Sequence, residues 1–120
     1  MQKEGLIQFL EKLAPKNLAE DWDNVGLLLG KREGEVRRVY LCLDVDSFAV
    51  KKAIEEGYDF ILSHHPFIFK GIKAVTGEDL QGKKIITLIE NGISVFSMHT
   101  NFDSVKRGMA DLVAETLEWK

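Results

Sequence analysis

Short apolar runs and amphipathic segments alternate along this chain, and this alternation constrains its fold more than any other feature. Apolar runs typical of buried strands lie at 25–29, 36–45, 59–62 and 93–98. Segments with helical spacing of apolar residues lie at 3–14, 46–56, 85–89 and 108–117. This order predicts an α/β fold, with a mixed, partly parallel sheet flanked by helices and right-handed crossovers.

Local signals mark where several of these elements begin and end. Pro15 closes the first helix, and either Asp46 or Ser47 is suited to cap the second, which Gly57 would stop. The first two strands follow one another with only a polar turn at 31–34 between them. We therefore expect these two strands to form a hairpin.

Size and composition indicate one domain spanning residues 1–120. The chain has 120 residues, 45% of them hydrophobic, which is enough for a single core. Its net charge of −3 argues against nucleic acid as a partner, and its apolar runs fall short of the roughly 20 residues that span a bilayer. Cys42 is the only cysteine and lies in an apolar run, so we expect a buried thiol and a cytoplasmic location.

Polar loops with metal-binding side chains follow three of the predicted strands. In open α/β sheets the ligand crevice lies beyond the carboxyl ends of the strands. The loops 44–47, 63–66 and 99–103 meet this condition, and the last two hold all three histidines of the chain. The sequence therefore predicts that these loops share one site.

The pair His64-His65 is the centre of this predicted site. Adjacent side chains of an extended strand point in opposite directions, so we expect two metal ions, one on each imidazole. Neutral imidazoles suit zinc, iron or manganese, and Asp103 would add a negatively charged ligand. His99 is a candidate ligand, proton shuttle or hydrogen-bonded loop residue, the last two together being favoured over the first. Ser63, Thr100 or His99 could fix the imidazole tautomers.

Other residues near these loops have two interpretations each. Lys70, Lys73 and the pair Lys106-Arg107 could surround the crevice and attract an anionic substrate, although solvated surface charges are more common. The triplet 67–69 could exclude water from the site or belong to the core. Asp21 and Asp23 form no recognised ligand spacing with the histidines.

Several motifs, in order, resemble those of the Nif-three-like family, whose members are also called GTP cyclohydrolase I type 2 homologues or dinuclear metal centre proteins. The resemblance covers nearly the whole chain. It rests on Leu13-Ala14-Pro15, the segment 19–27, Leu43-Asp44, the segment 63–66 with Phe69, and the segment 99–103. The chain is similar to the N-terminal half of the family, which continues into a second half with a further His and a Glu that bridges the metals.

The resemblance implies a dinuclear centre in which His64 binds the first metal and His65 binds the second. Asp103 would be the other ligand that the N-terminal half gives to the first metal. It also implies a ring-shaped homo-oligomer and hydrolase chemistry on a nucleotide such as GTP. Two alternatives remain open. One is a non-catalytic metal-binding or protein-interaction domain, either a natural half-protein or a fragment. The other is a structural α/β module with incidental histidines.

Overall fold

A computed structural model of the chain describes residues 1–103. Its elements in chain order are α1 (Lys3–Leu13), a 3₁₀ turn (Lys16–Leu18), β1 (Gly26–Leu29), β2 (Val39–Cys42), α2 (Ser47–Glu55), β3 (Phe60–Ser63), α3 (Leu80–Glu90), β4 (Ser94–Ser97) and α4 (Thr100–Asp103). The predicted alternation of strands and helices is thus confirmed. The helix predicted at 108–117 lies outside the described residues.

The four strands form one sheet in the order β1, β4, β3, β2. β2, β3 and β4 run parallel, whereas β1 pairs antiparallel with β4 at one edge. This is the mixed, partly parallel sheet that the sequence predicts. Because the three parallel strands point the same way, their carboxyl ends lie along one edge, and the residues after Cys42, Ser63 and Ser97 meet there.

The predicted hairpin between the first two strands is wrong, because β1 and β2 lie at opposite edges of the sheet. The connecting residues 30–38 span up to about 30 Å, more than the roughly 14 Å that three strand spacings require. On the way they pair with the amino terminus: Lys3 donates its amide to the Gly34 carbonyl, and Val36 donates to Met1. The second strand covers Val39–Cys42, which is shorter than the predicted 36–45.

Helices cover both faces of the sheet, and alternate strand residues supply the two cores. Ile61 and Val95 belong to a cluster with buried residues of α2 and α3, the helices that connect the parallel strands. Phe60 and Phe96, the chain neighbours of Ile61 and Val95, belong to a second cluster with Ile7 and Leu10 of α1. This alternation follows from the two-residue period of a strand, and it fixes which side chains of β3 and β4 face each helix layer.

Short-range hydrogen bonds begin the two crossover helices. Of the two caps that the sequence allows, Asp46 caps α2 by accepting a hydrogen bond from the Ala49 amide at 2.8 Å, and Asp79 caps α3 in the same way. Gly57 follows α2 with a φ of +73°, a conformation that favours glycine and ends the helix. The capped start of α2 places Asp44 and Asp46 at the carboxyl end of β2.

Cys42 is half-buried at the end of β2. Burial, together with the charges of Asp46 and Asp44, raises the pKa of its thiol to about 11. The thiol is therefore neutral at physiological pH. Within residues 1–103, every helix is too short or too polar to cross a membrane.

Candidate metal centre

The candidate site lies where β3 and β4 end side by side. Ser63 and Ser97 are register partners at the ends of these strands, and their buried hydroxyl oxygens lie 2.8 Å apart. The Ser63 hydroxyl also donates to the His65 carbonyl at 2.9 Å, and the Phe67 amide donates to the Ser97 hydroxyl oxygen. This buried network holds the histidine loop against the end of β4.

The structure brings His64, His65 and His99 together. One ring nitrogen from each lies within 4.8 Å of the other two, and the ring centroids are 5.0 to 5.6 Å apart. The prediction that the loops at 63–66 and 99–103 share one site is therefore confirmed in its geometry. Three converging imidazoles are a donor set that could hold a divalent ion.

Strand alternation predicts that the side chains of His64 and His65 point in opposite directions. In the structure they do not. The chain bends at these two residues directly after β3 ends at Ser63. Their backbone amides still donate to the carbonyls of Cys42 and Leu43, so the bend is held against the end of β2. Alternation applies only while the backbone stays extended. The two ligand atoms therefore converge, and the count of two ions stays a prediction.

Two of the histidines are oriented by carboxylates. The Asp44 carboxylate lies 2.8 Å from Nδ1 of His65, and the Asp23 carboxylate lies 3.1 Å from Nδ1 of His99. A carboxylate on Nδ1 holds the proton there and leaves Nε2 free to bind a metal. Asp44 belongs to one of the three loops predicted at the site. Ser63 and Thr100 are residues expected to fix the imidazole tautomers. Instead, the Ser63 hydroxyl donates to the His65 backbone carbonyl, and the Thr100 hydroxyl donates to Asp23.

Asp23 is the residue that sequence reasoning missed. Its side chain has no exposed surface and accepts hydrogen bonds from the Thr100 amide at 3.0 Å, the Thr100 hydroxyl at 2.6 Å and the Asn24 amide at 2.9 Å, besides its contact with His99. Burial raises the pKa of the Asp23 carboxyl, but the hydrogen bonds from Thr100, His99 and Asn24 outweigh it and leave the pKa below its ordinary value. The carboxylate is thus ionised beside His99.

Asp103, the predicted carboxylate ligand, lies beside His64. Its Oδ2 is 3.8 Å from Nε2 of His64, and its side chain is half exposed. This separation is too long for a hydrogen bond. Two donors that bind one ion at about 2.0–2.2 Å each can lie up to roughly 4 Å apart, so the distance is compatible with a shared ion. The assignment of Asp103 as a ligand stays a prediction.

Buried Asn101 ties the His99 loop to α1. Its side-chain oxygen Oδ1 accepts from the His99 backbone amide at 2.9 Å, and its side-chain NH2 group donates to the Ala14 carbonyl at 2.8 Å. The Thr100 hydroxyl oxygen also accepts from the Glu20 amide. Residues 14–23 and 99–101 therefore form one hydrogen-bonded unit, which positions both Asp23 and His99.

The predicted surrounding charges and apolar triplet separate into different environments. Lys70 and Lys73 line a cavity of about 540 Å³ between the loop 67–74 and the start of α3. Phe67 is buried in the core, whereas Phe69 is half exposed. Lys106 and Arg107 lie outside the described residues, so the prediction that four cations surround the crevice stays a prediction.

The fold and this cluster define a class of protein: an α/β domain whose parallel strand ends present three histidines that could hold a metal ion. The chain belongs to the Duf34/NIF3 (NGG1p interacting factor 3) family, whose model matches residues 1–120. The family expected from the sequence motifs is therefore confirmed.

Relatives in several organisms match this chain over part of their own length. The chain is 44% identical over 117 residues to a "GTP cyclohydrolase 1 type 2 homolog" of Clostridium perfringens, covering 98% of this chain and 45% of the relative. A Bacillus cereus protein related to NIF3 superposes with a TM-score of 0.88 at 38% identity, covering 98% of this chain and 32% of that structure.

The structure of reduced HcgD from Methanocaldococcus jannaschii is similar too, with a TM-score of 0.87 and 40% identity over 96% of this chain and 46% of HcgD. The chain thus spans less than half the length of these relatives. Their names describe proteins more than twice as long as the segment matched here.

Proposed function

We propose that this chain binds divalent metal through His64, His65, His99 and Asp103, and that it forms part of a metal-dependent hydrolase acting on a nucleotide-like substrate. The observation that carries the proposal is the convergence of three ring nitrogens within 4.8 Å. Three nitrogens around a tetrahedral ion, each about 2.0–2.1 Å from it, lie roughly 3.3 Å apart. The rings would rotate to bring the three nitrogens to this spacing around the ion.

The hydrogen bonds around the cluster support metal binding over incidental packing. A histidine without a ligand role needs no carboxylate on its far nitrogen, yet His65 contacts Asp44 and His99 contacts Asp23. The Asp23 and Asp44 carboxylates favour the tautomer with the proton on Nδ1, which leaves the lone pair on Nε2, and they add negative charge behind the rings. Both effects favour a cation between the rings.

When bound, a divalent ion supplies Lewis acidity and lowers the pKa of water. The chain's own residues orient the His65 and His99 rings through Asp44 and Asp23, and they place an exposed carboxylate, Asp103, beside His64. We propose zinc, iron or manganese as the ion, two per complete site, and a homo-oligomeric protein. Support for the substrate class comes from the names of the relatives, which are homologues of a GTP cyclohydrolase.

Metal analysis tests the first part of the proposal. The 120-residue chain, purified without chelator and dialysed against zinc, iron or manganese, should retain metal, and His64→Ala, His65→Ala, His99→Ala and Asp103→Ala should each retain less. Asp21→Asn serves as the control because Asp21 is an exposed carboxylate two residues from Asp23. A chain that takes up none of the three metals would refute metal binding.

The length of the relatives favours a second candidate, a metal-binding domain with no turnover of its own. Incubation of the metal-loaded chain with GTP separates the two. Product formation that is lost in His64→Ala supports the hydrolase, whereas full metal content without turnover supports the non-catalytic domain.

A further inference from the structure

Two exposed aromatic side chains, Trp22 and Phe69, stand next to the candidate metal centre. The Trp22 ring lies edge-on to His99 and to Phe69, with a centroid separation of 6.2 Å in each case. Trp22 is 60% exposed and Phe69 is 50% exposed. A single exposed apolar side chain is ordinary in a folded protein, but here two adjoin each other, and one of them, Trp22, packs against a histidine of the cluster.

The position of Trp22 is fixed by its neighbours rather than by burial of its own ring. Asp23 is hydrogen-bonded to His99 and Thr100, and the side-chain amide of Asn24 donates to the Ile68 carbonyl, one residue before Phe69. The backbone at both aromatic residues is therefore anchored through adjacent residues, while their rings remain open to solvent.

The far side of Phe69 borders a charged cavity. Phe69 lines the cavity of about 540 Å³ together with Lys70 and Lys73. Asp79 is also in its lining, but its carboxylate accepts a hydrogen bond from the Gly82 amide as the cap of α3. Phe69 thus contacts Trp22, which packs against His99, and it also lines the cavity that holds the two lysines.

We infer that Trp22 and Phe69 bind the planar ring of a substrate beside the metal centre, and that Lys70 and Lys73 bind an anionic group attached to that ring's sugar. The inference rests on the proposed function in one respect: the ring would be held against a metal site. Aromatic side chains stack on nucleobases because every base presents a π face, and lysine is a common ligand of phosphate. The ligand class is therefore a nucleoside phosphate.

Tryptophan fluorescence tests this directly, because the chain has only two tryptophans, Trp22 and Trp119. In Trp119→Phe, Trp22 is the sole tryptophan emitter. Guanosine and guanosine monophosphate should quench its emission saturably in the metal-loaded protein, whereas ribose 5-phosphate, which has no aromatic ring, should not. Absence of a saturable change with either ring-containing probe overturns the inference.

Variants then separate stacking from phosphate binding. By equilibrium dialysis, Trp22→Ala should raise the Kd for guanosine monophosphate roughly 5- to 150-fold, and Trp22→Phe should raise it less. Lys70→Ala should weaken binding of guanosine monophosphate but not of guanosine. An unchanged Kd in Trp22→Ala overturns the inference.

Metal content distinguishes failure of this inference from failure of the proposed function. Trp22→Ala should keep the metal content of the unmodified chain, because the indole supplies no ligand atom. Loss of metal together with loss of ligand binding would show that Trp22 acts through the site's structure, and would overturn the inference. A chain that takes up no metal at all refutes the proposed function, whatever the quenching shows.

Discussion

Replacing Asp23 by Asn tests whether this buried carboxylate orients His99. Asparagine keeps the shape of the side chain but removes the charge and one acceptor oxygen. In one orientation its NH2 group faces the Asn24 amide donor, and in the other it faces the donors of Thr100. An NH2 group near His99 also favours a proton on Nε2, and that tautomer cannot bind a metal through Nε2.

The expected magnitudes follow from the bonds that are lost. A hydrogen bond to a charged group contributes about 1.5–3 kcal/mol, and an unsatisfied buried donor costs about 1–3 kcal/mol. With at least one bond lost and the remaining bonds to Asp23 weakened, we expect a destabilisation of about 3 kcal/mol in the metal-free chain. Disturbing a carboxylate behind a metal-binding histidine typically lowers metal affinity about 10- to 100-fold.

The pH dependence gives an independent check. Because the pKa of Asp23 in the folded chain is below its ordinary value, ionised Asp23 stabilises the fold at neutral pH. This contribution is lost as the pH falls from about 4 through the lower folded-state pKa. In chelator, the unfolding free energy of Asp23→Asn should therefore fall less steeply below about pH 4 than that of the unmodified chain.

Urea unfolding in chelator measures the stability, and competition with a chromophoric chelator measures the metal affinity. Asp21→Asn is the matched control, since it makes the same chemical change at an exposed carboxylate two residues away. Unchanged metal affinity in Asp23→Asn would refute the orienting role. Equal losses in Asp21→Asn would show that general charge is responsible rather than the contact with His99.

Three further predictions concern the surrounding fold. Ser97→Ala should lower the free energy of unfolding in urea by about 1–3 kcal/mol, because it leaves the Ser63 hydroxyl and the Phe67 amide without their buried partner. A decrease under 0.5 kcal/mol, the usual range for a surface substitution, would contradict this. Gly30→Ala should destabilise the fold by about 1–3 kcal/mol, since Gly30 has a φ of +103° and an added Cβ would collide with Ser94. Gly5→Ala, in open space within α1, should instead stabilise the fold by about 0.5–1 kcal/mol. Equal effects of these two substitutions on the melting temperature would refute the explanation. Cys42, with its pKa raised to about 11, should react with iodoacetamide at pH 8 more than tenfold more slowly in the native chain than in the urea-unfolded chain, and a native rate equal to the unfolded rate would contradict the burial of its thiol.

The sequence alone determined the elements and the approximate position of the site. Caps such as Asp46 and stops such as Gly57 act within a few residues, so their effect is readable from neighbouring positions. The order of strands and helices predicted a parallel region, and parallel strands bring their following loops to one edge. The loops of His64, His65 and His99 do lie together in the structure, as this order predicts.

Only the tertiary structure decided the strand order and the partners of the histidines. Asp23 reaches His99 across 76 positions of the chain, and Asn101 reaches Ala14 across 87. The placement of β1 beside β4 makes the first contact possible, and nothing in the local pattern of either segment specifies it. Such contacts arise because the two sheet faces must be buried together, and that requirement acts on the whole chain rather than on neighbouring residues.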